Sequence, residues 1–397
     1  MLAKTLASSG RMRVCLAYDC LYPYTVGGAE RWYRNLSQRL AAEGHAVTYL
    51  TLRQWPRGEL GEVPGVRVLA VGPRLSLYTA SGRRRVGPPL VFGLGVLLHL
   101  LRHGARYEVV HTASFPYFSL LAAGLVRPLR RFRLVVDWVE LWSREYWLEY
   151  LGPVGGRIGA TVQRSCLRVR QRAFCFSALH ASRLRAHGVR GELSVLEGMY
   201  AGSLEAPEPA PAEPLVVFAG RHIPEKRVPA LVQAFALART AAPELRGEIY
   251  GDGPERGEVL RLRSELGLEQ VLDAPGFVDA ARVEEALGRA MCMVLPSRRE
   301  GYGMVVIEAA ALGTPSIVVA DPDNAATDLV ADGENGVIAP SASAADLAAA
   351  ILRVRAEGVD LRRSTAEWFR RNGQRLSLGS SLDRVVEAYE ASASARR

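Results

Sequence analysis

Two doubly wound α/β domains in tandem are what this sequence predicts, from three observations. At 397 residues the chain exceeds the roughly 250 to 300 at which a single core stops growing. Short β-branched runs alternate throughout with stretches of helical periodicity, the pattern of a parallel sheet flanked by helices. Near the middle, residues 198–214 interrupt that alternation with Pro207, Pro209, Pro211 and Pro214, as an exposed linker does. With 49% hydrophobic and 23% charged residues there is apolar material for two cores, which excludes a disordered chain.

In order, strands are expected at Arg13–Ala17, Val47–Leu52, Val66–Val71, Val109–His111, Leu134–Val136 and Ala173–Ser177, with helices at Ala29–Glu43, Leu90–His103, Phe115–Leu125 and Ile158–Arg172. After the linker the same alternation restarts. Strands are expected at Leu215–Ala219, Glu248–Tyr250, Val271–Ala274, Cys292–Leu295, Ser316–Val319 and Val337–Ile338, and helices at Val228–Thr240, Arg256–Leu266, Ala280–Gly288, Met304–Ala311 and Ala344–Glu357. A last helix covers Ser380–Ala393. The domains are thus 1–200 and 215–377, joined by 201–214, with 378–397 a C-terminal helix packing back on the first domain. Open α/β sheets bind ligands at the carboxyl ends of their strands, so the cleft between the two sheets is the expected site.

Other classes are bounded by composition. The longest apolar run, Leu90–Leu101, is 12 residues broken only by His99, which fits a buried helix and falls short of the ~20 residues that span a bilayer. No secretory signal precedes Met12, and a cytoplasmic protein is expected. Five scattered cysteines without C-x-x-C spacing (Cys15, Cys20, Cys166, Cys175, Cys292) read as buried thiols, not disulfides or zinc ligands. Charge is unevenly divided: residues 1–210 carry 28 Lys+Arg against 14 Asp+Glu, whereas 211–397 carry 22 against 27. A basic first domain points to an anionic partner, and Arg83–Arg85 with Arg127 to Arg133 would suit an anionic membrane surface. Nucleic acid is not expected, because Asp137, Glu140, Glu145 and Glu149 interleave the aromatic and basic residues of DWVELWSREYWLEYLG and would repel phosphate.

The chemistry-bearing motifs lie at strand ends. In GRHIPEKR (220–227), Arg221 and Lys226 occupy a strand-to-helix turn suited to a diphosphate. Lys4 and Lys226 are the only lysines in the chain, so a sequence that elsewhere takes arginine keeps a compact ammonium in this turn. In EGYGMVVIE (300–308), Gly301 and Gly303 permit close backbone approach ahead of a helix N-terminus. Glu300 and Glu308, on either side, can both face one small molecule and accept from sugar or ribose hydroxyls.

With GGAER at Gly27, GDGPER at Gly251, GFV at Gly276, the block from Pro296 to Val318 and DGENG at Asp332, the sequence resembles the family 4 glycosyltransferases of the GT-B fold over most of its length. The resemblance implies a retaining, metal-independent hexosyltransferase with no cofactor beyond a nucleotide diphosphate sugar. It implies that Arg221 and Lys226 hold the diphosphate, Glu308 the ribose and Glu300 the transferred sugar. The backbone of Tyr302, Gly303, Met304 and Val305 would line sugar and diphosphate, Val278 the base, and Gly27 and Gly28 would close over the diphosphate. His111, at a strand end facing the cleft, would contact the donor sugar, and Asp137 and Glu140 the acceptor, a carbohydrate or glycolipid such as a lipid-linked or polysaccharide precursor.

Alternatives remain open at the level of sequence. A GT-B-like phosphorylase or sugar-nucleotide epimerase would share the fold, and a non-enzymatic binding module would share the cleft. GDGPERG (251–257) has the G-x-G-x3-G spacing of an NAD-dependent oxidoreductase, although Pro254 also suits a first helical position. Asp321-Pro-Asp323 mimics a D-x-D metal motif but is read as a turn, and no metal site is expected.

Overall fold

The structure is a computed structural model, and it describes residues 11–79, 84–205, 208 and 211–394. Lys4, Arg83, Pro207 and Pro209 lie outside the described residues. The first domain is a seven-stranded, wholly parallel sheet in the order β3-β2-β1-β4-β5-β6-β7. Its strands are β1 (Arg13–Ala17), β2 (Ala46–Leu52), β3 (Arg67–Gly72), β4 (Val109–Ala113), β5 (Arg133–Trp138), β6 (Gln171–Cys175) and β7 (Gly191–Val195). Helices on both faces cover the inner strands, which therefore read as apolar runs without alternation; β4 is buried at every position. The helices are α1 (Gly28–Ala42), α2 (Gly87–His103), α3 (Phe118–Arg130), α4 (Arg144–Arg168) and α5 (Ala178–Ala186). On α1 the core face is Trp32, Tyr33, Leu36 and Leu40, the spacing of one helical stripe.

The second domain is a six-stranded parallel sheet, order β10-β9-β8-β11-β13-β15. It uses β8 (Leu215–Ala219), β9 (Arg246–Tyr250), β10 (Leu272–Gly276), β11 (Cys292–Leu295), β13 (Ser316–Val319) and β15 (Gly336–Ala339), while β12 (Arg299–Glu300) and β14 (Asp323–Asn324) form a separate short pair. Its helices are α6 (Val228–Ala241), α7 (Arg256–Glu265), α8 (Ala280–Arg289), α9 (Met304–Ala311) and α10 (Ala344–Leu376). The final helix, α11 (Leu378–Ser394), leaves this domain and touches α1 of the first, where Arg39 pairs with Asp383 at 2.6 Å. In each sheet the strand order reverses beside the first strand, between β1 and β4 and between β8 and β11, which opens a crevice at their carboxyl ends.

Several expected elements differ. The third helix begins at Phe118 instead of Phe115 and runs on to Arg130. The expected helix at Ile158–Arg172 starts at Arg144, capped by Ser143, which accepts from the Tyr146 amide at 3.1 Å, and it ends by Arg168 because Gln171 and Arg172 pair in β6. Aromatic residues of low helix propensity hid its first turns, and Gly152 (φ 74°) before Pro153 breaks its middle. Similarly, α10 continues through a break at Gly358 (φ 56°) to Leu376, about twice the expected length. Helix α5 and strand β7 were not anticipated. Helix α2 is not buried all round: Leu90, Leu94 and Leu98 are 47%, 57% and 52% exposed. All five cysteines are buried and free, and burial drives their thiol pKa values up, to about 12 for Cys175.

Candidate functional site

The GRHIPEKR turn leaves β8 and folds Pro224–Lys226 into one 3-10 turn before α6. Lys226 reaches across this turn to the Glu300 carboxylate, donating to Oε1, and Ser297 Oγ donates to the same oxygen at 2.7 Å. Glu300 is 9% exposed, so two donors hold it in a largely dehydrated position. Arg221 stays exposed at the same strand end.

Gly303 (φ 101°) is the residue ahead of α9, and only glycine takes that left-handed turn without strain; a Cβ there would lie 2.8 Å from Ala326 Cβ. The turn aims the first amides of α9 at the crevice. Opposite them, a Cβ on Gly28 would sit 3.5 Å from Met304 Cε, so the GGAER loop and the start of α9 face each other across the domains. Met304 and Val305 are half-buried there, as is Glu308 one turn along. Burial raises the Glu308 pKa, while the nearby positive charge of Arg31 in α1 lowers it and Glu284 raises it. Val278 is half-buried beside Phe277, which is 73% exposed. Tyr302 is buried and its hydroxyl donates to the Glu197 carbonyl, beyond the end of β7.

Two expected residues are not at the crevice surface. His111 lies inside β4, which continues two residues beyond it to Ala113, and is fully buried. Its Nδ1 is 2.6 Å from the Tyr389 hydroxyl of α11, and its Nε2 is 2.9 Å from Asp137 Oδ1. Asp137 is buried as well and accepts from Trp32 Nε1 at 2.7 Å. His111, expected at the donor sugar, and Asp137, expected at the acceptor, are thus enclosed together with Tyr389 and Trp32 in one buried polar knot, and neither side chain is exposed at the crevice surface. Glu140 stays at the crevice but is bound by Arg299 of β12, whose guanidinium also lies 4.5 Å from the Trp142 ring centre and 3.9 Å from that of Tyr146. Burial lowers the Arg299 pKa to about 10, which leaves it charged at neutral pH.

Sequence reasoning missed a second charged cluster on the first-domain side. Asp19, two residues past the end of β1, is ion-paired with Arg84, whose guanidinium also lies 5.1 Å from the Phe115 ring centre. Glu30 is 6% exposed, and burial raises its pKa while Arg84 and, from the other domain, Arg221 lower it. Asp19 and Arg84 are 65 residues apart, so no local pattern could have paired them. Beside Arg84 a cavity of about 810 Å³ is lined by Thr79, Arg85, Val86, Pro88, Tyr150 and Leu151, among others. His180, given no role from sequence, is 1% exposed and accepts from the Leu141 amide at 3.3 Å; burial, with Arg183 adding to it, lowers its pKa to about 4.

The look-alike motifs have structural explanations. Gly251 (φ 119°) and Gly253 (φ 154°) let the GDGPERG loop press onto the GRHIPEKR turn: a Cβ at Gly251 would lie 1.8 Å from the Gly220 carbonyl oxygen. Pro254 precedes the helix by two residues and is not its first residue. Asp321 pairs with Arg227 at 3.2 Å and Asp323 with Arg183 at 2.6 Å, so both carboxylates of the D-x-D look-alike are matched by arginines.

Comparison with known proteins follows the domain division. Residues 27–196 match the family model described as Glycosyl transferase 4-like domain, and residues 204–374 that of Glycosyl transferases group 1. A D-inositol 3-phosphate glycosyltransferase of Thermomonospora curvata is 33% identical over 184 residues, 44% of this chain and 42% of that protein. The chain aligns with less than half the length of the curated relatives it matches. Among solved structures, sucrose-phosphate synthase from Thermosynechococcus elongatus superposes with TM-score 0.79 at 22% identity, covering 97% of this chain and 100% of that one. Anabaena HepE in complex with UDP and glucose superposes with TM-score 0.72 at 18% identity, covering 95% and 99%.

Proposed function

We infer from the GT-B fold of this chain, and from its pairing of a glycosyl transferase 4-like domain with a glycosyl transferases group 1 domain, that it is a glycosyltransferase. The observation that carries this reading is one cleft in which the Lys226–Glu300 pair and the start of α9 face the Gly27–Gly28 loop of the other domain. An ammonium, a guanidinium and helix amides at one point suit a diphosphate, and two carboxylates nearby suit hydroxyls.

In this reading the donor is a nucleoside diphosphate hexose. Arg221 and Lys226 hold the diphosphate, Glu308 the ribose and Glu300 the sugar, with Val278 at the base and the backbone of Tyr302–Val305 along the sugar. The acceptor hydroxyl attacks the anomeric carbon from the face that the diphosphate leaves. The carbon–oxygen bond to acceptor forms as that to phosphate breaks, the hydroxyl proton passes to the departing phosphate, and configuration is retained. Protein cations and amides meet the charge developing on the leaving group, so neither a metal nor a further cofactor is invoked. His111 and Asp137 act as positioning residues that hold β4, β5 and α11 together. The acceptor is a lipid-linked or polysaccharide precursor, and the setting is cytoplasmic; the 810 Å³ cavity beside Arg84 is the room available for the acceptor on the first domain.

The test is a thermal-shift panel of UDP, GDP, ADP, TDP and NAD. A ligand that binds only the native state raises the melting temperature by mass action. One nucleoside diphosphate should do so, and Lys226→Ala should abolish the shift. Turnover should fall by about 100-fold or more in both Lys226→Ala and Glu300→Ala. A shift with NAD alone, or near-normal turnover in either variant, would overturn the assignment.

A further inference from the structure

Among the described residues, nothing covers the outer face of α2. Val86, Leu90, Leu94 and Leu98 follow one another at four-residue spacing and are 54%, 47%, 57% and 52% exposed, with Val91 beside them at 36%. Helix α3, which packs against α2, adds Leu125 and Leu129 at 69% and 72%. Contiguous exposed aliphatic residues of this kind mark an interaction surface. The segment that carries them is strongly basic. Between residues 63 and 136 there are 11 arginines and a single acidic residue, Glu108. Arg85, Arg102, Arg106 and Arg130 are exposed at the ends of the two helices.

We propose that the α2–α3 face docks on an anionic lipid surface, the leucine stripe entering the acyl boundary and the arginines meeting lipid phosphates. Three features favour lipid over protein as the occupant. The stripe holds only Leu and Val, with none of the Trp, Tyr or Met that anchor protein interfaces, whereas an acyl layer asks only for apolar volume. A second copy of the chain would bring an equally basic face against this one and be repelled. The 17-residue α2 lies along the sheet and is too short to cross a bilayer, so its apolar face can enter only the boundary layer. The consequence for the site is geometric. Val86, Gly87 and Pro88, which open α2, also line the 810 Å³ cavity. Docking would therefore hold the mouth of that cavity at the lipid boundary, where an amphiphilic acceptor presents its head group. This last step rests on the acceptor reading above; the docking itself does not.

Sedimentation with phosphatidylglycerol vesicles tests the docking, with pure phosphatidylcholine vesicles and a Leu90→Ser/Leu94→Ser/Leu98→Ser variant as comparisons. Wild type should partition to the anionic vesicles, at least about tenfold more than to neutral ones, and the triple variant should lose about tenfold or more of that binding. The variant should keep the same nucleoside diphosphate thermal shift, which shows that it is folded and separates this test from that of the transferase reading. No partition to phosphatidylglycerol, equal partition to both vesicles, or unchanged binding by the variant would overturn the proposal. So would a wild-type dimer that the variant converts to monomer, since the stripe would then be covered by a second copy.

Discussion

His180 shows how burial turns a single side chain into a pH-dependent element of stability. Its ring is enclosed, its Nδ1 accepts from the Leu141 amide, and its folded pKa is lowered from 6.5 to about 4, mainly by burial. Between those values the unfolded chain binds more protons than the native one, so stability rises with pH through this window and is lost as pH falls toward 4. The loss attributable to this residue is on the order of 3 kcal/mol. Urea unfolding of His180→Asn should give a shallower pH slope of stability than wild type between pH ~6.5 and ~4. The slope should not vanish, since His99, also lowered to about 4 by burial and by His103, remains. An unchanged slope would mean that His180 titrates alike in the native and unfolded states. Most residues that form the cleft are legible in sequence as glycines, glutamates and a rare lysine in short local motifs. Asp19, Arg84 and His180 were not, because their partners lie far along the chain or across the domains.

At the scale of elements, a buried polar knot helps to hold α11 in its apolar seat. Tyr389 is 1% exposed, its hydroxyl meets His111, and its backbone carbonyl accepts from Arg133. Tyr389→Phe leaves His111 Nδ1 buried without that partner and should cost about 1–3 kcal/mol; Tyr389→Ala, which also leaves a cavity, should cost about 3–5 kcal/mol. Chemical denaturation would measure both. A Tyr389→Phe cost near zero would show that the hydroxyl contributes nothing and that packing alone seats the helix. The parallel strands were readable because buried strands are continuous apolar runs of β-branched residues. Helix ends were less so: α4 carries aromatic first turns and a Gly152-Pro153 break, and sequence periodicity weakens at both.

For the whole molecule, the relation of the two domains is set by contacts from loops. Glu225 accepts from the Tyr146 hydroxyl at 2.7 Å, Arg298 makes a two-pronged pair with Glu149 at 2.9 and 2.5 Å, Arg299 binds Glu140, and Arg183 binds Asp323. Three of these four come from the two loops that carry Lys226 and Glu300, so domain closure and site geometry are coupled. Arg298→Glu places a carboxylate against Glu149 and should open the cleft. Solution scattering should show a larger radius of gyration and donor KM should rise several-fold, while global stability changes by no more than about 1 kcal/mol, as for other exposed pairs. An unchanged scattering profile would assign closure to the apolar contacts instead.

By itself the sequence determined the two doubly wound domains, the strand-end motifs around Lys226 and Glu300, and the basic character of the first domain. These are properties of local order: strand and helix periods, glycine-bearing turns, and counts of charge. Tertiary structure alone decided what each polar side chain faces. It enclosed His111 and Asp137 with Tyr389 from the far end of the chain, bound Glu140 to Arg299, and turned a helix that reads as buried so that Leu90, Leu94 and Leu98 face outward. The physical reason is that burial and pairing depend on which surfaces the sheet brings together over tens to hundreds of residues, and no local pattern encodes that distance.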